Sequence, residues 1–220
     1  MLYAEVAEAL RGTGMVARGG FNLEPEERLD GFAGVRSVVI VGNIGGEMWP
    51  HFRAADPGAA DPLDTWTRSV LRPIATALGA DFVHPSDQPY QPFQRWAQRA
   101  DDVWQSPIGL LIHAEHGLWH AYRGALLFPS ALAGLPATGA AEMPCRTCVG
   151  QPCLHTCPVG AFTVDGYDAE SCRVHVRSGA TPTCAVDGCA ARCACPVGAA
   201  VRYGPDQMRF HMRAFVGDPA

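Results

Sequence analysis

The chain has 220 residues, a formal net charge of −5 and a mean hydropathy of 0.00. All 17 of its basic residues are arginine, which excludes Schiff-base lysine enzymes and P-loop nucleotide hydrolases, whose phosphate loop needs a lysine. It has no clustered basic patch for nucleic acid, no apolar run long enough to span a bilayer and no signal-peptide pattern. We therefore expect a soluble, cytoplasmic protein that binds neither nucleic acid nor a membrane.

The first 140 residues predict a mixed α/β domain, because apolar residues recur there with helical and strand periods in turn. In chain order the predicted elements are a helix over "LYAEVAEALRGTG", a buried strand over residues 36–43, a helix from Asp61 to Gly79, a short strand "ADFVHP" and a helix "PFQRWAQRADDVW". "IGLLIH" and "LWHAYRGALLF" then predict two strands joined by the turn "AEHG".

Residues 129–144 are rich in proline, glycine and alanine and predict a linker. All nine cysteines follow it, between residues 145 and 195, where no long helix or strand pattern is found. A short C-terminal helix, "QMRFHMRAF", is predicted with Asp206 as its cap. The sequence therefore predicts two domains, residues 1–140 and residues 141–220.

The cysteine motif begins with "CRTCVGQPCLHTCPVGA" at residues 145–161, and "CPVGA" returns at residues 195–199. Disulfides need an oxidising compartment, and an odd number of cysteines fits them poorly. Zinc sites take their ligands four at a time from short knuckles, which two Cys-Pro dipeptides do not match. The motif resembles that of bacterial ferredoxins, in which the cysteine before proline ligates the other of two 4Fe–4S clusters.

Two such clusters need eight thiolates, and the chain offers nine. The exchange of Cys-Pro cysteines assigns the first cluster to Cys145, Cys148, Cys153 and Cys195. The second cluster takes Cys157 and three of the remaining four, which are Cys172, Cys184, Cys189 and Cys193. Cys193 is one candidate for the surplus thiol because it lies so close to Cys195, but spacing alone leaves this open.

The segment "GLLIHAEHGLWHAYRGALLF" at residues 109–128, followed by the cysteine motif, resembles the cobalamin-dependent reductase superfamily. That superfamily includes epoxyqueuosine reductases, reductive dehalogenases and CblC-type cobalamin-processing proteins. In CblC-type proteins a similar segment carries a glycine, His-Pro, Gly-x-Trp and Arg-Gly. The matching residues here are Gly109, His113, Gly117, Trp119, Arg123 and Gly124, with Ala114 in place of the proline.

The resemblance implies a nitroreductase-like, CblC-like α/β domain followed by a small ferredoxin-like domain. It implies that the first domain holds a corrinoid such as cobalamin or, in more distant relatives, a flavin such as FMN. Gly109, His113, Gly117, Trp119 and Arg123 are the implied cofactor-binding residues. "ESCRVHV" at residues 170–176 also resembles the isolated cysteine of the second cluster in epoxyqueuosine reductases, whose Gly-Trp-x-Gly-Lys stretch this chain lacks.

Two neighbouring residues of this segment are candidates for chemistry. Arg123 either faces solvent or holds an anionic group, and the functional arginine at the matching place in CblC-type proteins favours the second reading. Tyr122 either donates a proton to a reduced substrate or packs in the sheet. The nearby histidines 113, 116 and 120 are interpreted as hydrogen-bonded or solvent-facing and not as a zinc site, because the segment predicts a hairpin.

The leading hypothesis is an oxidoreductase that accepts electrons from a reduced donor protein of flavodoxin or ferredoxin type. Electrons pass through two 4Fe–4S clusters to a corrinoid in the first domain, where a small substrate is reduced or dealkylated. One alternative is a ferredoxin-type electron carrier with no catalysis of its own. The other is a flavin-dependent reductase on the same fold.

Overall fold

The structure is a computed structural model, and it describes residues 1–55, 57–163, 166–180 and 183–217. Its helices and strands are, in chain order, α1 (Tyr3–Ala9), β1 (Val16–Asn22), β2 (Ser37–Ile44), α2 (Met48–Ala55), α3 (Pro62–Ala77), β3 (Asp81–Val83), α4 (Phe93–Ala100), β4 (Val103–Gln105), β5 (Leu111–His113), β6 (His120–Phe128), α5 (Pro152–His155), β7 (Phe162–Thr163), β8 (Gly166–Tyr167), α6 (Ala169–Ser178), α7 (Cys184–Asp187), α8 (Ala190–Cys193) and α9 (Pro205–Val216). Two 3-10 turns, Pro144–Arg146 and Ala199–Val201, complete the set.

By the contacts among its residues the chain divides into two compact units. The N-terminal unit comprises Met1–Asp102 and His120–Ala141, and the cysteine-rich unit comprises Val103–Trp119 and Glu142–Ala220. Each unit is made of two separate segments of the chain, because residues 103–119 belong to the cysteine-rich unit although the residues before and after them belong to the N-terminal unit. The sequence predicted one boundary, at residue 140, and the N-terminal unit ends at Ala141. The sequence did not predict that residues 103–119 belong to the cysteine-rich unit.

The N-terminal unit is built on an antiparallel sheet with strand order β1-β2-β6-β3. β2 is the most deeply buried strand, since its residues 37–43 are all buried. Val38 and Ile40 pack with Trp96 and Ala100 of α4 on one face of the sheet. On the other face Leu71 of α3 lies against Gly124 of β6. Helices on both faces explain why "VVIV" at residues 38–41 is continuously apolar and does not alternate.

Several elements of the mixed α/β prediction are confirmed in this unit. The predicted helices and strands up to residue 100 correspond to α1, β2, α3, β3 and α4, with Pro73 inside α3. The helix predicted over residues 92–104 ends at Ala100, and its last two residues belong to the strand β4. β1 and α2 were not predicted. β1 contains Gly19 and Gly20, which have poor strand propensity, and a β-bulge interrupts its register at this point.

The predicted hairpin between residues 108 and 128 is wrong. β5 pairs with β4, while β6 pairs with β2 and β3. The reason is a tight turn before β5, in which the N–H of Ser106 bonds the carbonyl of Leu110 and returns the chain along β4. "AEHG" does form a turn, closed by a bridge between His113 and Gly117, but it does not connect paired strands.

The cysteine-rich unit consists of short helices and two small hairpins, β4-β5 and β7-β8. The ten-residue helix α6, which Asp168 caps by accepting from the Ser171 N–H, is a regular element that the sequence pattern did not predict. Asp206 is not a helix cap, because α9 has Gly204 at its N-cap and Pro205 in its first turn, where a missing N–H costs nothing.

None of the helices in the described ranges is both long enough and apolar enough to cross a membrane.

Candidate functional site

The nine cysteines of the cysteine-rich unit are all free thiols, and the short elements present them from loops and helix ends. Cys145 lies in a 3-10 turn, Cys153 in α5 and Cys172 in α6. Cys189 is the N-cap of α8. Several of these elements have only three or four residues and bury little apolar surface, and small units with such elements often take part of their folding energy from a bound metal.

Four thiols form a first group, which consists of Cys145, Cys148, Cys153 and Cys195. All four line one apolar cavity together with Ile112 and Leu118. Burial, and after it the proximity of the other three thiols, raises the pKa of Cys145 to about 11. Burial raises the pKa of Cys195 as well, while the backbone N–H of Val197 opposes that rise.

A second group consists of Cys157, Cys172, Cys184 and Cys189. Burial, and to a smaller extent the nearby Cys184 and Cys172, raises the pKa of Cys189 to about 11. Burial likewise raises the pKa of Cys184, with Cys172 and Cys157 as its thiol neighbours. Four thiols gathered in one place are the donor set of a single 4Fe–4S cluster.

Cys193 stands at the margin of the second group. Its sulfur lies 3.7 Å from the carbonyl oxygen of Asp187 and 3.9 Å from the sulfur of Met208. Burial raises the pKa of Cys193, the charges of Arg202 and Arg192 lower it, and Cys184 is the thiol that adds to the rise. Of the four cysteines between which the spacing could not decide, this one is directed to other partners.

Backbone N–H groups surround the sulfurs of both groups. The N–H of Ala161 donates to Cys157 Sγ at 3.3 Å. The backbone N–H groups of Ala191 and Arg192 donate to Cys189. These donors stabilise a thiolate, which is the form that binds iron, and hydrogen bonds to sulfur are one determinant of cluster potential.

The spread of the thiols also bears on the kind of metal centre. Within the described residues, no three His, Cys, Asp or Glu side chains converge on a point where they could hold one metal ion. A zinc ion draws four ligands to a common centre, whereas each thiolate of a 4Fe–4S cluster binds a separate iron and stands farther from its neighbours.

Residues 103–119 form one wall of the first group. Ile108, Ile112 and Leu118 pack into the same apolar cluster as Cys195, with Cys145 and Cys153 against it. Several of the residues implied as cofactor contacts lie in this wall. One of them, Gly109, lies in the turn that connects β4 to β5, has φ 79° and is surrounded by open space.

Gly117 is required by a close approach of two backbones. A Cβ at this position would lie 2.0 Å from the carbonyl oxygen of Val197, and a Cβ at Gly198 would lie 2.2 Å from the carbonyl oxygen of His116. The turn at residues 113–117 therefore interlocks with the "CPVGA" loop that carries Cys195. No side chain larger than hydrogen fits at either glycine without moving the backbone.

His113 and Trp119 are also engaged within the cysteine-rich unit. His113 Nδ1 accepts the backbone N–H groups of Glu115 and His116 at 3.0 and 3.1 Å, and its ring stacks on that of His116. Trp119 is fully buried, and its ring contacts the guanidinium of Arg192.

Arg123 and Tyr122 belong to the N-terminal unit, where Arg123 is the extra residue of a β-bulge. Val41 pairs with Gly124 while Gly42 pairs with Tyr122, so Arg123 has no opposite residue on β2. Bulges of this kind redirect a side chain and are frequent beside functional sites. The Nε of Arg123 donates to Asn43 Oδ1 at 3.2 Å. Burial lowers the pKa of His84, and the charge of Arg123 contributes to the same shift.

Tyr122 takes part in a buried polar network. Its hydroxyl donates to Asp101 Oδ2 at 3.0 Å, and the same oxygen receives Arg18 Nη2 at 2.6 Å. Burial raises the pKa of Tyr122 well above its usual value, so the hydroxyl keeps its proton for this hydrogen bond. The arrangement favours the packing reading of Tyr122 over that of a proton donor.

Sequence reasoning missed Arg18, Asn43, His84 and Asp101, which are the partners of the two candidate residues. Arg18 also lies at the β1 bulge and donates to the backbone oxygen of Asn43 at 3.4 Å. The contacts join residues far apart in the chain, so no local pattern marks them. The sequence offered one signal, which is that Arg18 and Arg123 lie in apolar stretches that form strands, where a buried charge requires a partner.

Comparison with solved structures identifies the fold. A crystal structure of epoxyqueuosine reductase matches with 13% identity and a TM-score of 0.59 over 96% of this chain and 69% of that chain. Another, with an epoxyqueuosine-modified tRNA-Tyr stem loop, matches with 14% identity and a TM-score of 0.53 over 99% and 68%. CblC, a B12-trafficking protein of C. elegans, matches with 14% identity and a TM-score of 0.52 over 98% and 94%.

No protein-family model and no curated protein matches the sequence. At these identities the structural matches establish that the chain shares the fold of epoxyqueuosine reductase and CblC. They bear out the mixed α/β fold class.

Proposed function

We propose that the chain is an iron–sulfur redox protein with two 4Fe–4S clusters. The observation that carries the proposal is the grouping of eight thiols into two sets of four. Each set takes its Cys-Pro cysteine from the other half of the motif: Cys195 lies with Cys145, Cys148 and Cys153, and Cys157 lies with the later cysteines. This exchange is the arrangement of two-cluster ferredoxins.

We assign the first cluster to Cys145, Cys148, Cys153 and Cys195, and the second to Cys157, Cys172, Cys184 and Cys189. A 4Fe–4S cluster supplies one-electron transfer when it is bound. The protein contributes apolar walls, such as Leu118 and Ile112, which exclude water from the first site. It also contributes backbone N–H groups that donate hydrogen bonds to the sulfurs of Cys157 and Cys189.

The N-terminal unit is proposed to bind the cofactor that receives the electrons, with a corrinoid as the first choice and a flavin as the second. Support for the corrinoid comes from the shared fold with epoxyqueuosine reductase and CblC. Support within the unit is limited to Arg123, whose guanidinium the bulge directs toward Asn43 and His84. That charge is suited to an anionic group of a cofactor or of a small substrate.

Two further roles compete with this one. If the N-terminal unit binds no cofactor, the protein is a ferredoxin-type carrier between a flavodoxin-like or ferredoxin-like donor and a second protein. One neighbour was solved with a tRNA stem loop, which makes RNA a substrate class to test, although this chain has a net charge of −5.

The test is anaerobic purification from cells supplied with iron and cobalamin, followed by assay of iron, sulfide, cobalt and the visible spectrum. About eight irons and eight sulfides per chain are expected. Zinc in place of iron and sulfide would refute the redox function. Protein loaded with iron that binds neither cobalamin nor FMN in a titration would establish the carrier role in place of the reductase.

The same preparation is then titrated with cobalamin, FMN and a tRNA stem loop in separate experiments. Arg123→Gln is expected to weaken binding of the preferred cofactor at least tenfold, because a charge-assisted hydrogen bond is worth about 1.5–3 kcal/mol. Arg99→Gln is the matched control, since this exposed arginine of the same unit pairs with Glu27. Equal affinity of both variants would remove Arg123 from the cofactor site.

A further inference from the structure

Tyr167 lies beside the cysteines of the proposed second cluster. It is the last residue of β8, and the residue after it, Asp168, caps the helix α6 that carries Cys172. The Tyr167 hydroxyl donates a hydrogen bond to the Cys172 side chain, and its other thiol neighbour is Cys189. Contacts with two of the four thiols therefore place this tyrosine at the second group.

The small hairpin β7-β8 holds the ring of Tyr167. Phe162 is its partner on the opposite strand, and the two rings stack with centroids 5.0 Å apart and planes inclined by 14°. Phe162 packs against the same apolar cluster as Cys189. The N–H of Asp168 bonds the carbonyl oxygen of Ala161 at 2.8 Å and closes the strand pair. A ring held in this way loses little additional freedom when its hydroxyl bonds the sulfur.

The donor to Cys172 differs in kind from those of two other sulfurs in the group. The backbone N–H of Ala161 donates to Cys157 Sγ at 3.3 Å, and the backbone N–H of Ala190 donates to Cys184. Backbone donors persist in every variant that keeps the fold. The donor to Cys172 is a side chain, so one substitution can remove it and leave the backbone as it is.

This hydrogen bond has a direct consequence for electron transfer. A phenol with an ordinary pKa of about 10 is protonated at neutral pH, so its oxygen can donate to sulfur. One-electron reduction adds a negative charge to a cluster, and a hydrogen bond strengthens when its acceptor gains negative charge. Hydrogen bonds to the sulfurs are accordingly among the factors by which proteins set cluster potentials.

We propose that the Tyr167 hydroxyl raises the reduction potential of the second cluster through its hydrogen bond to the sulfur of Cys172. Tyr167 acts through an iron ligand and is a positioning residue of the redox centre. The proposal rests on the two-cluster function and on Cys172 as a ligand, and it specifies how the potential of that cluster is set.

The experiment is a redox titration of the anaerobically purified, iron-loaded protein, followed by the electron paramagnetic resonance of the reduced clusters. Two one-electron steps are expected in the parent protein. Tyr167→Phe should shift one step to a more negative potential by at least a threefold change in its equilibrium constant, or about 28 mV. The other step should stay unchanged, and the chain should keep about eight irons.

Tyr167→Phe is a mild substitution, because it keeps the ring that stacks on Phe162. Tyr167 is also 45% exposed, so the loss of its hydroxyl opens no internal cavity. Tyr90→Phe is the control for removal of a phenol, since Tyr90 belongs to the N-terminal unit and is 70% exposed. Neither step should move in the control.

Two cysteine variants identify the cluster to which the shifted step belongs. Cys145→Ser should leave the step of the second cluster, and Cys184→Ser should leave that of the first. Tyr167→Phe should shift the remaining potential when it is combined with Cys145→Ser, and it should have no effect when it is combined with Cys184→Ser.

Unchanged potentials in Tyr167→Phe, or a shift that persists in the Cys184→Ser background, would overturn the proposal. Loss of about four irons from Tyr167→Phe would overturn it too, because the hydroxyl would then be needed to bind the cluster and not to set its potential. Absence of iron and sulfide from the parent protein would instead refute the two-cluster function itself.

Discussion

Arg123 Nε donates a hydrogen bond of 3.2 Å to Oδ1 of Asn43, and this bond joins two strands at the point where their register shifts. Asn43 is fully buried and also accepts Arg18 through its backbone oxygen. The arginine at each bulge therefore reaches the same residue of β2. At this bulge Gly42 pairs with Tyr122, and the backbone of β6 passes where a side chain at residue 42 would lie.

Gly42→Ala should destabilise the N-terminal unit. A Cβ there would lie 1.9 Å from the carbonyl oxygen of Ala121, so the backbone of β6 must move. We expect a loss of about 1–3 kcal/mol or more, the usual cost of forcing extra atoms into a packed interior. Denaturant unfolding measures it, and Gly204→Ala, which has open space around its Cβ, should cost less than about 1 kcal/mol. Equal costs would contradict the close approach.

Gly117→Ala and Gly109→Ala form a matched pair within the segment implied as a cofactor site. A Cβ at 117 meets Val197 next to Cys195, whereas a Cβ at 109 meets nothing within 4 Å. Gly117→Ala should lower the iron content, since it displaces the loop that carries a first-cluster thiol. Gly109→Ala, despite the strain of a positive φ, should retain its iron. Iron and sulfide assays measure both, and full loading of Gly117→Ala would count against the interlock.

Replacement of single cysteines by serine should separate the ligands from the surplus thiol. Cys193→Ser should keep about eight irons per chain, because the Cys193 sulfur is directed to Asp187 and Met208. Cys172→Ser, Cys184→Ser and Cys189→Ser should each lose about four irons. The assay is iron and sulfide per chain after anaerobic purification. Loss of iron from all four variants would show that the ligand count is wrong.

Acid should destabilise the N-terminal unit through His84. Burial lowers the pKa of this histidine in the folded state, Arg68 and Arg123 lower it further, and Asp64 and Asp87 oppose them. The unfolded chain then binds the proton more readily, so the contribution to stability is complete above about pH 6.5 and declines as the pH falls toward the folded-state pKa.

The measurement is denaturant unfolding at a series of pH values between 8 and 5. His84→Gln, which does not titrate, should lose less stability over this range than the parent chain. Parallel curves for the two proteins would show that His84 does not carry the pH dependence.

Local patterns predicted those elements whose residues repeat with a clear period. The buried strand β2 and the helices α3 and α4 were predicted because their apolar residues follow strand or helix spacing. The pairing of β5 was predicted wrongly, because two apolar runs separated by a turn signal favour a hairpin. The turn at Ser106–Leu110, which decides the pairing, carries only the weak signal of one proline and one glycine.

The candidate site divides in the same manner. The exchange of Cys157 and Cys195 was predicted from the repeated "CPVGA", and their assignment as iron ligands is still a prediction. The position of Cys193 beside Met208 could not be predicted, since α8 and α9 meet only in the folded unit. The partners of Tyr122 and Arg123 come from β1, β2 and the end of α4, and no spacing in the sequence records that they meet.

By itself, the sequence determined the chemistry that the chain can offer: nine thiols with ferredoxin-like spacing, no lysine, and an α/β pattern ahead of them. Donor types and local spacing belong to the covalent chain, and they are the same in every fold. Only the tertiary structure decided that residues 103–119 form a wall of the first cysteine group and that the Trp119 ring contacts the guanidinium of Arg192. These relations depend on contacts between segments that are far apart in the sequence, and such contacts form only when the whole unit has folded and its side chains and backbone have packed together.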